Sequence, residues 1–456
     1  MYAKEQHKRI LNLLANVIVW AVEVLAFAIV WYGAYDHPFY DRGNYAVVGV
    51  YALFMFLFTK SVNGYSISYL RLLDLIMSHA LAIGGGAVVG YLITCMAWGE
   101  YVSAGPILAM AGAQFGIIFF WVWLVRHMTL YFFAPRRIIV IYGNYPPEAF
   151  LKKINTRQDK YEVCEVVSYK QGYEKILTEV LDFEGALLYD LPAEERNTIM
   201  KYCYEHSIRT YVVPKITDII MKGSDALYLV DTPLFLSRNI GLHVEQRFVK
   251  RFMDIVLSLI ALLIASPFML LIALAIKLCD GGPVFYRQVR LTRGGKEFRI
   301  FKFRSMRLDA EKTGAQLASK HDDRVTPVGR VLRNLHLDEL PQLFNVLAGD
   351  MSMVGPRPER PEIFAKYEKS IPEFDFRLKV KAGITGYAQV YGKYNTTPID
   401  KLKLDLTYIQ EFSYWLDLKL MLLTFRIVFR RETSEGVEDG QTTALLDDSE
   451  TKGDNS

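Results

Sequence analysis

Residues 250–278 read KRFMDIVLSLIALLIASPFMLLIALAIKL, a largely apolar run from Phe252 to Leu278 broken at Ser266-Pro267. As a helix rising about 1.5 Å per residue the whole run would measure about 40 Å, enough to cross a bilayer, and neither half alone would be. Lys250 and Arg251 precede it, while Arg287, Arg290, Arg293 and Lys296 follow. Basic residues stay on the cytoplasmic side, so both flanks should lie on the same face. Pro267 removes an intrahelical hydrogen bond and clashes with the carbonyl four residues back, which kinks the helix. The Ser266 hydroxyl can satisfy part of what is freed. The expectation is a bent helix that enters one leaflet and returns. An ordinary fifth span with a kink is the alternative.

Four other long apolar segments come earlier, at roughly 10–33, 45–59, 74–97 and 105–125, and most reach or approach the length of about 20 residues that a span requires. Lys4, Lys8 and Arg9 precede the first, Lys60 and Arg71 lie between the second and third, and Arg126, Arg136 and Arg137 follow the fourth. The other two connections carry mainly Asp36, Asp41 and Glu100, with Arg42 the exception. Both ends of this block should therefore be cytoplasmic. Glu23 lies inside the first segment and His79 inside the third. An ionisable group at such a position marks a candidate site, while solvation from a nearby interface is the plainer reading of each.

The 456 residues allow two or three domains, and 52% are hydrophobic. A formal charge of +4 is too small to argue for nucleic acid. Four dispersed cysteines, with no CxxC pair, fit a reducing cytoplasm. No zinc spacing is present among His and Cys, and no cleavable signal peptide is expected. Residues 137–240 look soluble. Ile138–Tyr142 followed by Gly143-Asn144, Ala186–Tyr189 with Asp190, and Thr210–Val213 read as buried strands separated by helices, the pattern of a parallel α/β sheet. Gly143 stands without the further glycines of a dinucleotide turn, which argues against a membrane-bound nicotinamide oxidoreductase.

The chemistry concentrates at Leu337-Asp338-Glu339-Leu340-Pro341-Gln342. Pro341 is tolerated only in a first helical turn, which places Asp338 at or near a helix N-cap. Neighbours at i and i+1 point roughly 100° apart on a helix, suiting two roles better than one: one carboxylate can attack while the other holds a metal. Phe298–Arg304 alternates as a strand, with Lys302 and Arg304 on one face and Phe301 and Phe303 on the other. Tyr408–Phe429 contains amphipathic helices that could lie on a membrane surface.

In this setting residues 250–430 resemble the bacterial sugar transferases, the monotopic polyprenyl-phosphate sugar-1-phosphate transferases. The resemblance is carried by Lys250-Arg251 with Asp254, Ser266-Pro267, Gly282-Pro283, Gln288 and Arg290. It continues through Lys302–Met306, Asp323-Arg324 with Thr326, Gly329 and Arg333, and Leu337–Gln342. Asn345-Val346, Gly349–Met351, Val354–Pro358, Gly383–Gly386 with Gln389, and Asp405 with Tyr408 complete it. Each piece is weak alone; their order and spacing are specific. The front half resembles, more loosely, the large two-part members that start capsule, O-antigen or exopolysaccharide synthesis. Two departures stand out: Ala382 where many relatives have proline, and Lys393 where arginine is common.

The resemblance implies transfer of a sugar 1-phosphate from a UDP-sugar to polyprenyl (undecaprenyl) phosphate, with release of UMP. It implies Asp338 as nucleophile, Glu339 as ligand of Mg²⁺, and Lys302, Arg304, Arg324 and Arg357, set between Pro356 and Pro358, as phosphate-binding residues. Prolines on both sides would restrict the Arg357 backbone. Ser266 and Pro267 would form the helix break. The expected fold class is membrane α plus α/β. A four-helix transmembrane block spans 1–135, a Rossmann-like α/β module 136–245, and a re-entrant helix with a mixed α/β interfacial catalytic domain 246–431. A disordered acidic tail covers 432–456. The expected location is the bacterial cytoplasmic membrane, multi-pass, with the soluble and catalytic parts facing the cytoplasm and membrane lipids as partners. Self-association stays open. The competing reading is a non-catalytic membrane scaffold or regulator working through the α/β module.

Overall fold

The computed structural model describes residues 2–35, 39, 42–237, 241–307, 324–392 and 396–428. Asp323, Lys393 and the acidic tail at 432–456 lie outside the described residues. The chain forms two compact units, Met1–Lys215 and Ile216–Ser456.

The first unit opens with four helices, α1 (Tyr2–Ala34), α2 (Arg42–Ser61), α3 (Leu72–Trp98) and α4 (Gly105–Phe132). Each is long and apolar enough to cross a membrane. Their outer faces expose Leu13, Ile29, Leu53 and Phe120, as helices apolar all round do in lipid. Inside, the Phe27 and Tyr51 rings stack with centroids 3.9 Å apart. Small residues let the backbones approach: a Cβ on Gly86 would run into Met55 Sδ, and one on Gly90 would meet the rings of Phe27 and Tyr51.

Next come β1 (Arg136–Tyr142), α5 (Glu148–Asn155), β2 (Tyr161–Ser168), α6 (Tyr173–Val180), β3 (Gly185–Tyr189), α7 (Ala193–Glu205) and β4 (Arg209–Val212). The four strands form one sheet in the order β2-β1-β3-β4, and every pairing is parallel. Strand residues alternate between faces. Ile139 and Ile141 pack with Ile176, Val180 and Ile199 on one side, while Ile138 and Val140 pack with Ile154 and Phe150 on the other. Covered on both faces, β1 reads as an unbroken apolar run.

Ion pairs fasten this sheet to the helical block. Arg126, near the end of α4, pairs with Asp159 and reaches the Ile67 carbonyl at 3.4 Å. Arg157 holds the same carboxylate at 3.0 Å and donates to the Tyr69 carbonyl at 3.0 Å. Burial pushes the Asp159 carboxyl up, but Arg157 and Arg126 outweigh it and hold the group below its ordinary value.

The second unit begins with α8 (Ile216–Lys222) and the hairpin of β5 (Asp225–Leu229) and β6 (Thr232–Leu236), so residues 216–236 belong to this unit and not to the one that holds the parallel sheet. Then α9 (Val244–Asp280) runs as one 37-residue helix through Pro267. The Ser266 hydroxyl donates at 3.0 Å to the Leu263 carbonyl, the acceptor that proline at 267 leaves without its amide partner. The remaining elements are β7 (Phe285–Leu291), β8 (Glu297–Phe303), α10 (Pro327–Asn334), α11 (Gln342–Ala348), β9 (Ser352–Val354), α12 (Pro361–Ser370), β10 (Gly383–Thr385), α13 (Tyr387–Tyr391), α14 (Pro398–Gln410) and α15 (Tyr414–Val428). The β7 and β8 strands pair antiparallel, and β9 pairs with β10 in parallel.

Both halves of α9 pack on this one unit. Lys250 pairs with Asp417 at 2.5 Å, and Asp254 accepts from Ser352 Oγ and the Met353 amide, both at 3.0 Å. Arg251 donates to the Val346 and Leu347 carbonyls that end α11, where a cation suits the exposed carbonyls. Further along, Met269 and Ile276 bury against Phe303 and Leu332. The flank left over is apolar and exposed, with Leu263 at 77%, Leu270 at 73% and Leu278 at 77%. The amphipathic stretch near the end turns its apolar side inward, and Leu420 and Leu423 of α15 are fully buried in the core.

Replacing Asp159 with alanine strands Arg126 and is expected to cost about 2 kcal/mol, less than a fully buried pair because Asp159 keeps some exposure. A lowered thermal midpoint of the full chain in detergent or nanodiscs would register it.

Candidate active site

Strand β8 and the turn before α11 build the centre. Asn345 of α11 donates to the Arg299 carbonyl at 2.8 Å and accepts from the Phe301 amide at 2.9 Å. This side chain stands in for a neighbouring strand and fixes β8 against α11. Lys302 therefore sits beside the acids.

Asp338 and Glu339 lie on a 3-10 turn, Leu337–Glu339, and Pro341 takes the residue before α11. The expected helix start is thus three residues later than Asp338, and the dyad occupies the tighter turn leading into it. His336 makes the bend from α10 with φ +53°, a left-handed conformation uncommon outside glycine. At the start of α10, Thr326 accepts from the Gly329 amide at 2.9 Å as an N-cap. Arg333 in turn donates to Ser305 Oγ at 2.9 Å.

The two acids have different surroundings. Glu339 accepts from Lys302 Nζ at 2.7 Å and from both Arg357 nitrogens, at 2.6 and 3.3 Å. Such a two-point guanidinium–carboxylate contact is among the strongest polar pairings. Asp338 is 8% exposed, and no described side chain hydrogen-bonds its carboxylate. Burial pushes Asp338 above its ordinary value; Lys302, Arg333 and His336 pull it back, and Glu339 adds to the rise. Burial acts on Glu339 as well, but Arg357 and Lys302 outweigh it and hold that group well below the usual carboxylate range.

Arg357 projects from a braced backbone. Pro356 and Pro358 are buried on either side of it. The Pro356 carbonyl accepts from the Gly383 amide at 3.0 Å, and the Pro358 carbonyl accepts from Arg290 at 3.1 Å. Cβ atoms on Gly383 or Gly386 would collide with the Gly355 backbone, so glycines at these positions let the loop close. Ala382, where proline would be common, donates its amide to Thr292 Oγ1 at 3.2 Å, a bond proline could not make.

Behind the loop is a buried charge network of which only Asp405 belongs to a motif quoted from the sequence. Arg377, 2% exposed, donates to the Arg357 carbonyl at 3.0 Å and pairs with Asp405 at 2.7 Å and Glu359 at 3.4 Å. Lys401 adds a 2.7 Å pair to Glu359. Burial raises both acids; for Glu359, Lys401 and Arg377 reverse the effect and bring it to about 2, while Asp405 stays above its ordinary value. Burial, then the charge of Arg357, lowers Arg290 to about 10.

Of the residues singled out in the sequence, Lys302, Asp338, Glu339 and Arg357 meet at one point. Arg304 is buried, its amide bonded to the Val284 carbonyl at 2.9 Å and its guanidinium against Gly282. Arg324 is half-buried beside the Met306/Val325 bridge, its carbonyl accepting from the Arg307 amide at 2.9 Å. Ser266 and Pro267 lie in α9, away from the acids in sequence. The Arg377 network left no local signal except the Asp405 motif, since its members lie up to 46 positions apart in sequence from Glu359 to Asp405.

Removing one member of a buried pair strands its partner. Arg377→Met is expected to lower unfolding free energy by about 3–5 kcal/mol, and Arg377→Met with Asp405→Leu to recover much of it. Denaturant titration of the single and double variants measures both.

The profile of the bacterial sugar transferase family matches residues 245–431. A UDP-N-acetylgalactosamine-undecaprenyl-phosphate N-acetylgalactosaminephosphotransferase of Aeromonas hydrophila is 32% identical over 377 residues, 75% of this chain and 86% of that protein. A UDP-glucose:undecaprenyl-phosphate glucose-1-phosphate transferase of Xanthomonas campestris pv. campestris is 40% identical over 255 residues, 54% of this chain and 53% of that protein. The protein of that same name in Escherichia coli K12 is 43% identical over 209 residues, 45% of this chain and 43% of its own length. The first similarity runs through both units and most of the relative's length, and the chain belongs to the bacterial sugar transferase family.

Proposed function

We propose that this chain transfers a sugar 1-phosphate from a UDP-sugar to polyprenyl phosphate at the inner face of the cytoplasmic membrane, releasing UMP, as the first step of exopolysaccharide or glycoconjugate synthesis. The observation that carries the reading is the divided dyad: a buried, uncommitted Asp338 beside a Glu339 held by two cations. The names of the three relatives, each acting on undecaprenyl phosphate, support it.

In this reading an Asp338 oxygen attacks the sugar-bearing phosphorus of the UDP-sugar. The bond to the bridging oxygen breaks and UMP leaves with that oxygen. An oxygen of polyprenyl phosphate then attacks the same phosphorus, forming the polyprenyl diphosphate sugar and returning Asp338 as a carboxylate. A carboxylate nucleophile divides one hard displacement into two. Phosphoryl transfer depends mainly on positioning and charge neutralisation. Lys302 and Arg357, with Arg304 and Arg324 as further phosphate-binding candidates, answer the second need. Each cation now on Glu339 can turn to the incoming diphosphate.

Glu339 is the proposed Mg²⁺ ligand. Mg²⁺ needs only one or two carboxylates when substrate phosphates and water complete its shell, and Glu339 is the acid kept ionised. No cluster of three His, Cys, Asp or Glu side chains suited to a metal occurs among the described residues, so substrate phosphates and water would have to complete the shell. When bound, the ion would offset diphosphate charge.

The same reading makes α9 a re-entrant anchor and the front sheet a Rossmann-like module. Basic flanks at both ends of α9, the packing of both its halves on one unit, and the Ser266–Leu263 bond across the break support the first. The order β2-β1-β3-β4 supports the second.

Incubation of purified chain with radiolabelled UDP-sugars and polyprenyl phosphate should yield labelled lipid, and Asp338→Asn should abolish it. Without acceptor, a sugar phosphate should be trapped on Asp338; full turnover by Asp338→Asn would refute its role. The acid limb of kcat/KM should track Asp338, since activity falls as pH drops through its raised value. Lys302 pulls that value down, so Lys302→Met should move the limb to higher pH besides lowering the rate.

A further inference from the structure

The four-helix block contains a second set of ionisable groups, remote in sequence from the dyad and unused by the reaction above. Glu23 of α1 is 0% exposed and His79 of α3 is 3% exposed. Glu23 Oε1 lies 3.5 Å from His79 Nδ1. Gln114 of α4 donates to the Glu23 backbone carbonyl at 2.8 Å. Both Glu23 carboxylate oxygens, His79 Nδ1, Gln114 Oε1, Tyr51 OH and Thr59 Oγ1 are buried, with Gln114 beside the Tyr51 hydroxyl and Thr59 beside Tyr65. Each of the four helices thus sends at least one polar group into the interior.

We propose that Glu23 and His79 together form a proton-binding site within this block, the pair holding one proton between them.

A carboxylate alone in a medium of low dielectric is costly, and it persists only when neutralised or paired. Imidazole is the side chain that most readily carries a proton near neutral pH. With one proton the pair is neutral overall, as Glu-COOH with imidazole or as carboxylate with imidazolium. Removing that proton, or adding a second, leaves a net charge among apolar helices. A metal cation fits less well, because the imidazole already supplies the counter-charge and no second acid pairs with it among the described residues.

The surroundings bear this out helix by helix. Glu23 is the sole charged residue of α1 between Ile10 and Trp31, and α4 has no titratable side chain between Gly105 and Val125. Arg126, beyond them, is engaged with Asp159 and the Ile67 carbonyl. From α2, Tyr51 faces the site, with Tyr65 in the loop that follows; both lie in the field of Glu23. Lys60 lies instead over the Phe56 ring. On α3, Asp74 stands in the first turn, and Tyr91 is taken up with the Val102 carbonyl. Gly64 passes close to Thr59, where a Cβ would collide with Cγ2 at 2.6 Å.

Infrared difference spectra of the full chain in lipid nanodiscs, titrated from acid to alkaline pH, test the site. A carboxyl band that titrates in the parent and is lost in Glu23→Gln is expected; should that variant not fold, Glu23→Asp, which displaces the band, assigns it instead. In His79→Gln the midpoint of the Glu23 band is expected to move by more than about one pH unit, the scale of a close charge partner. The inference is overturned if no band belongs to Glu23, or if its midpoint is indifferent to His79→Gln. A midpoint that moves when potassium is exchanged for sodium at constant ionic strength would assign the site to a metal cation and overturn it too.

Discussion

Everything at the centre converges on the carboxylate of Glu339. Three separate pieces of chain meet there: β8 through Lys302, the 3-10 turn itself, and the 356–358 loop through Arg357. None of these contacts is local, and each is prepared by something behind it. Asn345 holds β8 in register, Arg377 and Arg290 hold the loop backbone, and Arg333 ties α10 to Ser305. Glu339 also keeps the two cations together, since without it they would repel at close range. The ion triad therefore organises the site and stores two positive charges at one place.

The supporting structure is itself electrostatic to an unusual depth. Lys250, Asp417 and Tyr408 form one buried group, with the tyrosine hydroxyl 2.8 Å from Asp417. Arg377, Glu359, Asp405 and Lys401 form another. Buried ion pairs add little net stability over apolar packing, because desolvation consumes most of the attraction. What they do impose is geometry, since a stranded charge is heavily penalised and alternative arrangements strand one. Such constraint suits a loop whose arginine must meet an acid 18 residues earlier in the chain.

How much of this could be read from the chain alone follows from physical range. Apolar runs exposed the helices α1 to α4 and α9, because a run that matches the thickness of a bilayer is seldom anything but a membrane helix. Strands β1, β3 and β4 were legible as short buried runs. Strand β2 was not: Glu162 and Glu165 interrupt Tyr161–Ser168, and an edge strand can keep one face polar. The Ser266 bond to Leu263 was legible because proline dictates which carbonyl is left over. Asp338 reads as a helix start, yet Pro341 holds that place, since a 3-10 turn has no distinct pattern over three residues. The amphipathic period of α15 announced a buried face without saying whether lipid or protein would cover it. Arg377 was invisible for a plainer reason: its partners are fixed by tertiary packing, and no period or spacing records them.

The tight turn finally explains why two consecutive acids end in opposite conditions. A 3-10 helix has about three residues per turn, so neighbours diverge by about 120°, more than in an α-helix. With Glu339 aimed at Lys302 and Arg357, Asp338 must face elsewhere, and it is buried there. Their mutual repulsion then works in one direction. The acid with two cations stays ionised, and its charge raises the other, which has Lys302 only in part. Separate values for paired acids are the usual mark of separate duties. Here the separation comes from the burial of Asp338, a turn tight enough to split the two side chains, and Arg357 and Lys302 placed on only one of them.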